Sequence, residues 1–185
     1  MNTAKQWTRV FLAFLLCLVV RLIPFRAPNV EPLLAVQMPF AKRYGVAVGF
    51  LFGVASIVAY DIITGKIGVW TLITALAYGS LGILSALYFK NRAASRKNFV
   101  IFAVLGTLFY DAVTGLSIGP LFFHESFSIA FAGQIPFTAL HLFGSIIFAA
   151  LLSPAIYRSL TYERKKQYAE TSLQPITIPL IIHSL

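Results

Sequence analysis

Long apolar runs broken by short polar or basic joints set the pattern of this chain. Runs at 7–23, 46–63, 68–89, 99–113 and 136–157 approach the length of helix that crosses a bilayer, and a shorter apolar stretch occupies 30–40. A helix rising about 1.5 Å per residue needs about 20 residues to cross about 30 Å of hydrocarbon. The pattern predicts an all-α membrane protein, a bundle of six transmembrane helices with the second one short, over residues 1–162. A C-terminal tail over 163–185 follows. There Gln174-Pro175-Ile176-Thr177-Ile178-Pro179 resists helix, and the apolar stretch 180–182 is too short to span.

Composition removes the soluble alternatives. Of 185 residues 58% are hydrophobic and 11% charged, and the mean hydropathy is +0.81, outside the usual range of soluble domains. The first run imitates a secretory signal, with Lys5 and Arg9 ahead of FLAFLLCLVV, but no small-x-small cleavage site follows. Leu16 stands where a lipoprotein signal needs a small residue before its cysteine. The run is expected to stay as a first helix. Cys17 is the lone cysteine, so neither an intrachain disulfide nor a cysteine metal site is available.

The net charge of +9 sits in clusters beside apolar runs rather than on a polar face with interleaved aromatics, so it reads as a topology signal and not as a nucleic-acid surface. With six crossings and a cytoplasmic N-terminus, Lys5, Arg9, Lys42, Arg43, Lys90, Arg92, Arg96, Lys97, Arg158, Arg164, Lys165 and Lys166 lie inside, against Arg21, Arg26 and Lys66 outside. If 30–40 does not cross and the N-terminus is outside, Lys5 and Arg9 exchange sides with Arg21 and Arg26 and the tally is unchanged. Charge alone leaves both schemes open. The six-helix scheme with both termini cytoplasmic is the one preferred here, in a bacterial plasma membrane.

Tyr60-Asp61-Ile62-Ile63-Thr64-Gly65 recurs as Tyr110-Asp111-Ala112-Val113-Thr114-Gly115. Each copy ends an outward-running helix, as a duplicated helical hairpin would leave. Gly65 and Gly115 suit the left-handed residue that ends a helix. Asp61 and Asp111 then oppose the helix dipole, so capping does not explain them. They either pair with Lys66, Arg21, Arg26 or loop amides, or form the polar floor of a ligand cavity. Glu31, Glu125, His124 and Trp70 fall at the same end, and the loop 116–135 is apolar enough to serve as a lid or an interfacial segment. The last helix is expected to open at Gln134-Ile135-Pro136. Gln134, Thr138, His141 and Ser145 recur at spacings that place them on one inward face. For His141 an interhelical hydrogen bond competes with ligand contact. Ala41, Gly45, Gly49 and Gly53 stand four apart, a nearly bare face that suits close helix approach and is the candidate partner-docking surface.

RLIPFRAPNVEPLLA, GVAVGFLFGVASIVAYDIITG and GQIPFTALHLFGSIIFAALLSPAIYR, with the chain length and helix count, resemble the substrate-binding (S) component of energy-coupling-factor micronutrient transporters. The resemblance implies a subunit that binds a vitamin or related micronutrient from outside. It would hand this cargo to a transmembrane coupling subunit with two cytoplasmic ATPases. It makes Arg26, Asn29, Glu31, Tyr60, Asp61, Trp70, Tyr110, Asp111, His124, Gln134, Thr138 and His141 the candidate substrate-binding residues. The family's Ala-x-x-x-Ala docking motif is missing from 7–23. Thr64-Gly65-Lys66-Ile67 lacks the earlier glycine and the hydroxyl of a phosphate loop, so ATP hydrolysis is expected in separate chains. Nucleophile-elbow, H-E-x-x-H and paired-aspartate metal motifs are missing as well, and neither catalysis, cofactor nor metal is expected. The rival reading is a membrane scaffold of the rod-shape type. An intramembrane enzyme using His141 or His124 stands behind it.

Overall fold

The least apolar of the predicted helices lies at the centre of the structure, surrounded by the others. This computed structural model describes residues 3–25 and 30–172, with side chains for 7–25 and 30–162. Arg26 and Asn29 therefore lie outside the described residues, as do 173–185. Among the described residues there are no strands. The helices are α1 (Thr3–Leu22), α2 (Leu33–Tyr44), α3 (Val46–Ile63), α4 (Val69–Lys90), α5 (Arg96–Gly115), the single turn α6 (Ile118–Phe122) and α7 (Phe127–Ser172).

Every residue of α2 from Leu33 to Ala41 is buried, which requires each polar group on it to find a partner inside the bundle. Gln37 does so by donating from Nε2 to the carbonyl oxygens of Gly49 (2.9 Å) on α3 and Tyr78 (2.8 Å) on α4. Pro39 has no N–H to offer the carbonyl of Ala35, one turn back. The Ser153 hydroxyl of α7 takes its place, donating to that oxygen at 2.7 Å. With 12 residues, α2 is about 18 Å long, too short to cross unaided.

Side-chain pairs fix the helix directions. Phe14 meets Phe52 edge to face and Arg21 lies over the Tyr60 ring, so α1 runs parallel to α3. Charge had left this undecided, and the contacts place the start of α1 at the same end as the start of α3. Glu31 meets Tyr78 and Lys42 meets Phe89, so α2 runs parallel to α4, beginning halfway along it. His141 with Asp111 and Ser145 with Thr107 set α7 antiparallel to α5.

The bare face at Ala41, Gly45, Gly49 and Gly53 does not belong to one helix. The chain breaks at Gly45, whose φ of 93° and ψ of −174° lie in a region open essentially to glycine, so Ala41 ends α2 while Gly49 and Gly53 lie on α3. The folded-back elbow packs on α4. A Cβ on Gly82 would stand 2.2 Å from the Gly49 carbonyl, and one on Gly53 2.6 Å from the Tyr78 oxygen. Of this face, expected to dock a partner, Ala41, Gly49 and Gly53 are buried against the chain's own helices, while Gly45 has nothing within 4 Å of an added Cβ.

Two further expectations change. The final helix starts at Phe127, not at Pro136, and carries Pro136 and Pro154 inside it. Apolar helices tolerate this where neighbouring groups re-satisfy the backbone. It also continues through 163–172, so no break in the helix separates the bundle from the start of the tail. Gly65 has the expected positive φ of 66°, but Gly115 is helical. Its lack of a side chain serves packing instead, since a Cβ there would lie 1.8 Å from Gln134 Oε1.

Candidate functional site

Charge separates along the bundle. Lys42, Arg43, Lys90, Arg92, Arg96, Lys97 and Arg158 gather where α2, α4 and α7 run out and α3 and α5 begin. Lys42 Nζ also caps the end of α4, donating to the oxygens of Phe89 (2.5 Å) and Arg92 (3.0 Å), a favourable place for a cation. The carboxylates Glu31, Asp61, Asp111 and Glu125 lie in the opposite half. We call the two the basic and acidic ends.

Beneath the acidic end a row of polar and aromatic side chains crosses the bundle. Arg21, at the end of α1, stands 4.3 Å from the Tyr60 ring centroid and pairs through Nε with Glu31 Oε2 at 3.1 Å. That pair lacks hydrogen-bond alignment, and Arg21 Nη1 is buried without a partner. Tyr78 donates to Glu31 Oε1 at 2.9 Å. Its ring lies 4.5 Å from that of Tyr110, which meets His141 edge to face at 5.7 Å. His141 Nδ1 stands 2.7 Å from Asp111 Oδ1. Asp111 is 1% exposed and its Oδ2 has no partner, an unusual state for a buried carboxylate oxygen.

The two Tyr-Asp copies share their local geometry and differ in their partners. Thr64 and Thr114 each donate back to the carbonyl of the tyrosine four residues earlier, at 2.8 and 2.9 Å. Asp61 Oδ2, however, accepts from Thr71 Oγ1 at 2.5 Å, while Asp111 takes His141. Neither aspartate uses the side chain of Lys66 or Arg21, two of the partners that sequence suggested; the third, Arg26, lies outside the described residues. Thr71 also accepts from the Gly68 amide at 3.1 Å, which ties the α3–α4 turn to Asp61.

A cleft of about 390 Å³ opens at the acidic end between α4, α5, α6 and α7. Thr74, Tyr110, Thr114, Glu125, Gln134 and Phe137 line it, with Gly115, Gly119 and Gly133 at its floor and rim. Its size falls within the range of small-molecule pockets, about 300 to 1,000 Å³. A second hollow of about 370 Å³ lies between α5 and α7, apolar except for Asp111, Gln134 and Thr138. Gln134 borders both and donates to Thr138 Oγ1 at 3.1 Å.

Of the residues proposed from sequence, Tyr110 and Gln134 line the cleft, and Asp111 and Thr138 line the neighbouring hollow. Glu31, Tyr60, Asp61 and His141 belong to the surrounding polar framework. Trp70 stands outside, donating from Nε1 to the Lys66 oxygen and stacking on Phe123 of α6. His124 is exposed in the turn before α7, with a φ of 54°. Tyr78, Thr71 and Arg21 were missed. Thr71, Ala75, Tyr78, Gly82 and Ser85 recur at spacings of four and three along α4, all buried, a stripe of the kind that identified the inward face of α7.

This arrangement defines a helical membrane protein. Among the described residues, four helical segments, Val46–Ile63, Val69–Lys90, Arg96–Phe122 and Phe127–Tyr162, are long and apolar enough to cross a bilayer. Compared with the models of known families, with curated proteins and with solved structures, the chain matches none.

Proposed function

We propose that this chain captures a small molecule at its acidic end, as the membrane-embedded substrate subunit of an energy-coupling-factor type importer. The acidic end would face outward and the basic end the cytoplasm, in keeping with the inward bias of Lys and Arg in membrane proteins. A vitamin or related micronutrient would enter the cleft. A separate transmembrane coupling subunit with two ATPases would then drive its release.

The observation that carries this reading is the cleft itself: polar and aromatic side chains from α4, α5, α7 and the turn before α7 border one hollow of small-molecule size. Behind it runs the hydrogen-bonded row of Glu31, Tyr78, Asp111 and His141, the kind of supporting shell a preorganised site uses. Native mass spectrometry of the protein purified in mild detergent tests it. The expected result is a co-purified small molecule, recoverable by binding assays with vitamins and nucleobases. A bare protein that binds none of them would sink the proposal.

The scaffold reading has one observation in its favour. An apolar trough of about 400 Å³ between α1 and α3, lined by Trp7, Phe11, Leu51 and others, would accept a partner helix. Stable co-purification with a cell-shape complex, with an empty cleft, is the outcome that favours it.

A further inference from the structure

Building on the capture reading, we propose that the ligand of the cleft is a small organic cation with an aromatic or alkylated ammonium group, held by Glu125 against the rings of Tyr110 and Phe137. Among the described residues, Glu125 is the one charged side chain lining the cleft. Its carboxylate has no ion pair or hydrogen bond among the described residues, whereas the other carboxylates of the acidic end are engaged: Glu31 by Arg21 and Tyr78, Asp61 by Thr71, and Asp111 by His141.

The fold makes room for this carboxylate at the edge of the cleft. Glu125 is exposed at the mouth of the cleft, and its Oε2 lies over Gly119, where a Cβ would come within 2.3 Å of it. The short turn is held by the Phe123 and Glu125 amides, both donating to the Gly119 oxygen. Tyr110 and Phe137 also line the cleft, and aromatic faces attract cations. Thr74, Thr114 and Gln134 supply neutral hydrogen-bonding groups.

The wider field points the same way. Among the described residues, four carboxylates at this end face two basic residues, Arg21 and Lys66, a formal charge of −2 with neutral histidines. Neither Arg21 nor Lys66 lines the cleft. Asp111 adds a buried carboxylate oxygen without a partner one residue from Tyr110. An anionic ligand would meet this field with no cation among the described residues of the cleft to offset it, and like charge held close is a standard means of rejection.

The test uses three probes of matched body on the full chain in nanodiscs: benzyltrimethylammonium, benzyl alcohol and benzoate, followed by isothermal titration. Benzyltrimethylammonium should bind at least about ten-fold tighter than benzyl alcohol, with benzoate weakest, the order a carboxylate and π faces impose. Glu125→Gln should remove most of that preference while leaving the alcohol unchanged, and Glu125→Asp should restore part of it. Native mass spectrometry with each probe checks that every variant still folds and forms the 1:1 complex. Tighter binding of benzoate, or a cation preference that survives Glu125→Gln, overturns the cation assignment. A neutral or anionic co-purified ligand does the same and leaves capture standing, whereas no binding by any probe or native ligand overturns both.

Discussion

Glycine does two different jobs here, and substitution separates them. At Gly82 the missing Cβ admits the backbone of α3: a methyl group there would be 2.2 Å from the Gly49 carbonyl, which is backbone and cannot swing away. Gly82→Ala should therefore part α3 from α4 and cost about 1 to 3 kcal/mol or more, the range for overpacking. Gly133→Ala, with nothing within 4 Å of the added Cβ, should lie within about 1 kcal/mol of the parent, helped by alanine's helix propensity. Unfolding in detergent followed by circular dichroism compares the two. At Gly115 the obstacle is the end of a flexible side chain, Gln134. Gly115→Ala should leave stability nearly intact but evict Gln134 and alter the shape of the cleft. Ligand affinity should fall by about ten-fold, about 1.4 kcal/mol, with little change in melting temperature. A loss of stability without loss of binding would refute that division.

Among the elements, α2 carries the arrangement. It begins halfway down the bundle, ends at the basic face, and returns through the single residue Gly45, so α1 and α3 point the same way. In a Cys17→Ala background, Phe14→Cys with Phe52→Cys should cross-link through a short bifunctional thiol reagent, because the native side chains are in contact, with ring centroids 6.2 Å apart. Trp7→Cys with Tyr60→Cys should not, as these positions fall at opposite ends of parallel helices. The reverse pattern would mean that α1 runs the other way. Periodicity read this part of the chain only partly. The stretch at 30–40 was visible as short and apolar. Its burial on all sides was not, because Gln37, Pro39 and Lys42 look unfavourable until Gly49, Tyr78, Ser153 and Phe89 are brought to them from distant segments. The start of α7 was misplaced for a related reason: proline suits a helix start, and only the packing of α7 against α5 and α6 shows the helix already under way at Phe127.

At the scale of the whole molecule, the two ends differ in charge, and this should orient the chain in the membrane. With Cys17 replaced, a cysteine at Lys66 should react with an impermeant maleimide in intact cells, and one at Asn91 only after the membrane is opened. The opposite result would place the basic end outside and remove the basis for capture from that side.

What the sequence determined by itself were quantities that depend on near neighbours along the chain: apolar run length, and so a helical membrane protein; charge clusters, and so two unlike ends; the Tyr-Asp repeat; and the inward stripe of Gln134, Thr138, His141 and Ser145. Tertiary structure alone decided which polar groups meet. Asp61 and Asp111 share a motif, yet one accepts from Thr71 ten residues on and the other takes His141 from α7. The carboxylate without a partner in the cleft belongs to neither copy, but to Glu125. In an apolar bundle a buried polar group is stabilised by whatever donor the packing brings within hydrogen-bonding distance, and that donor is chosen by helix direction and register, which local pattern does not encode.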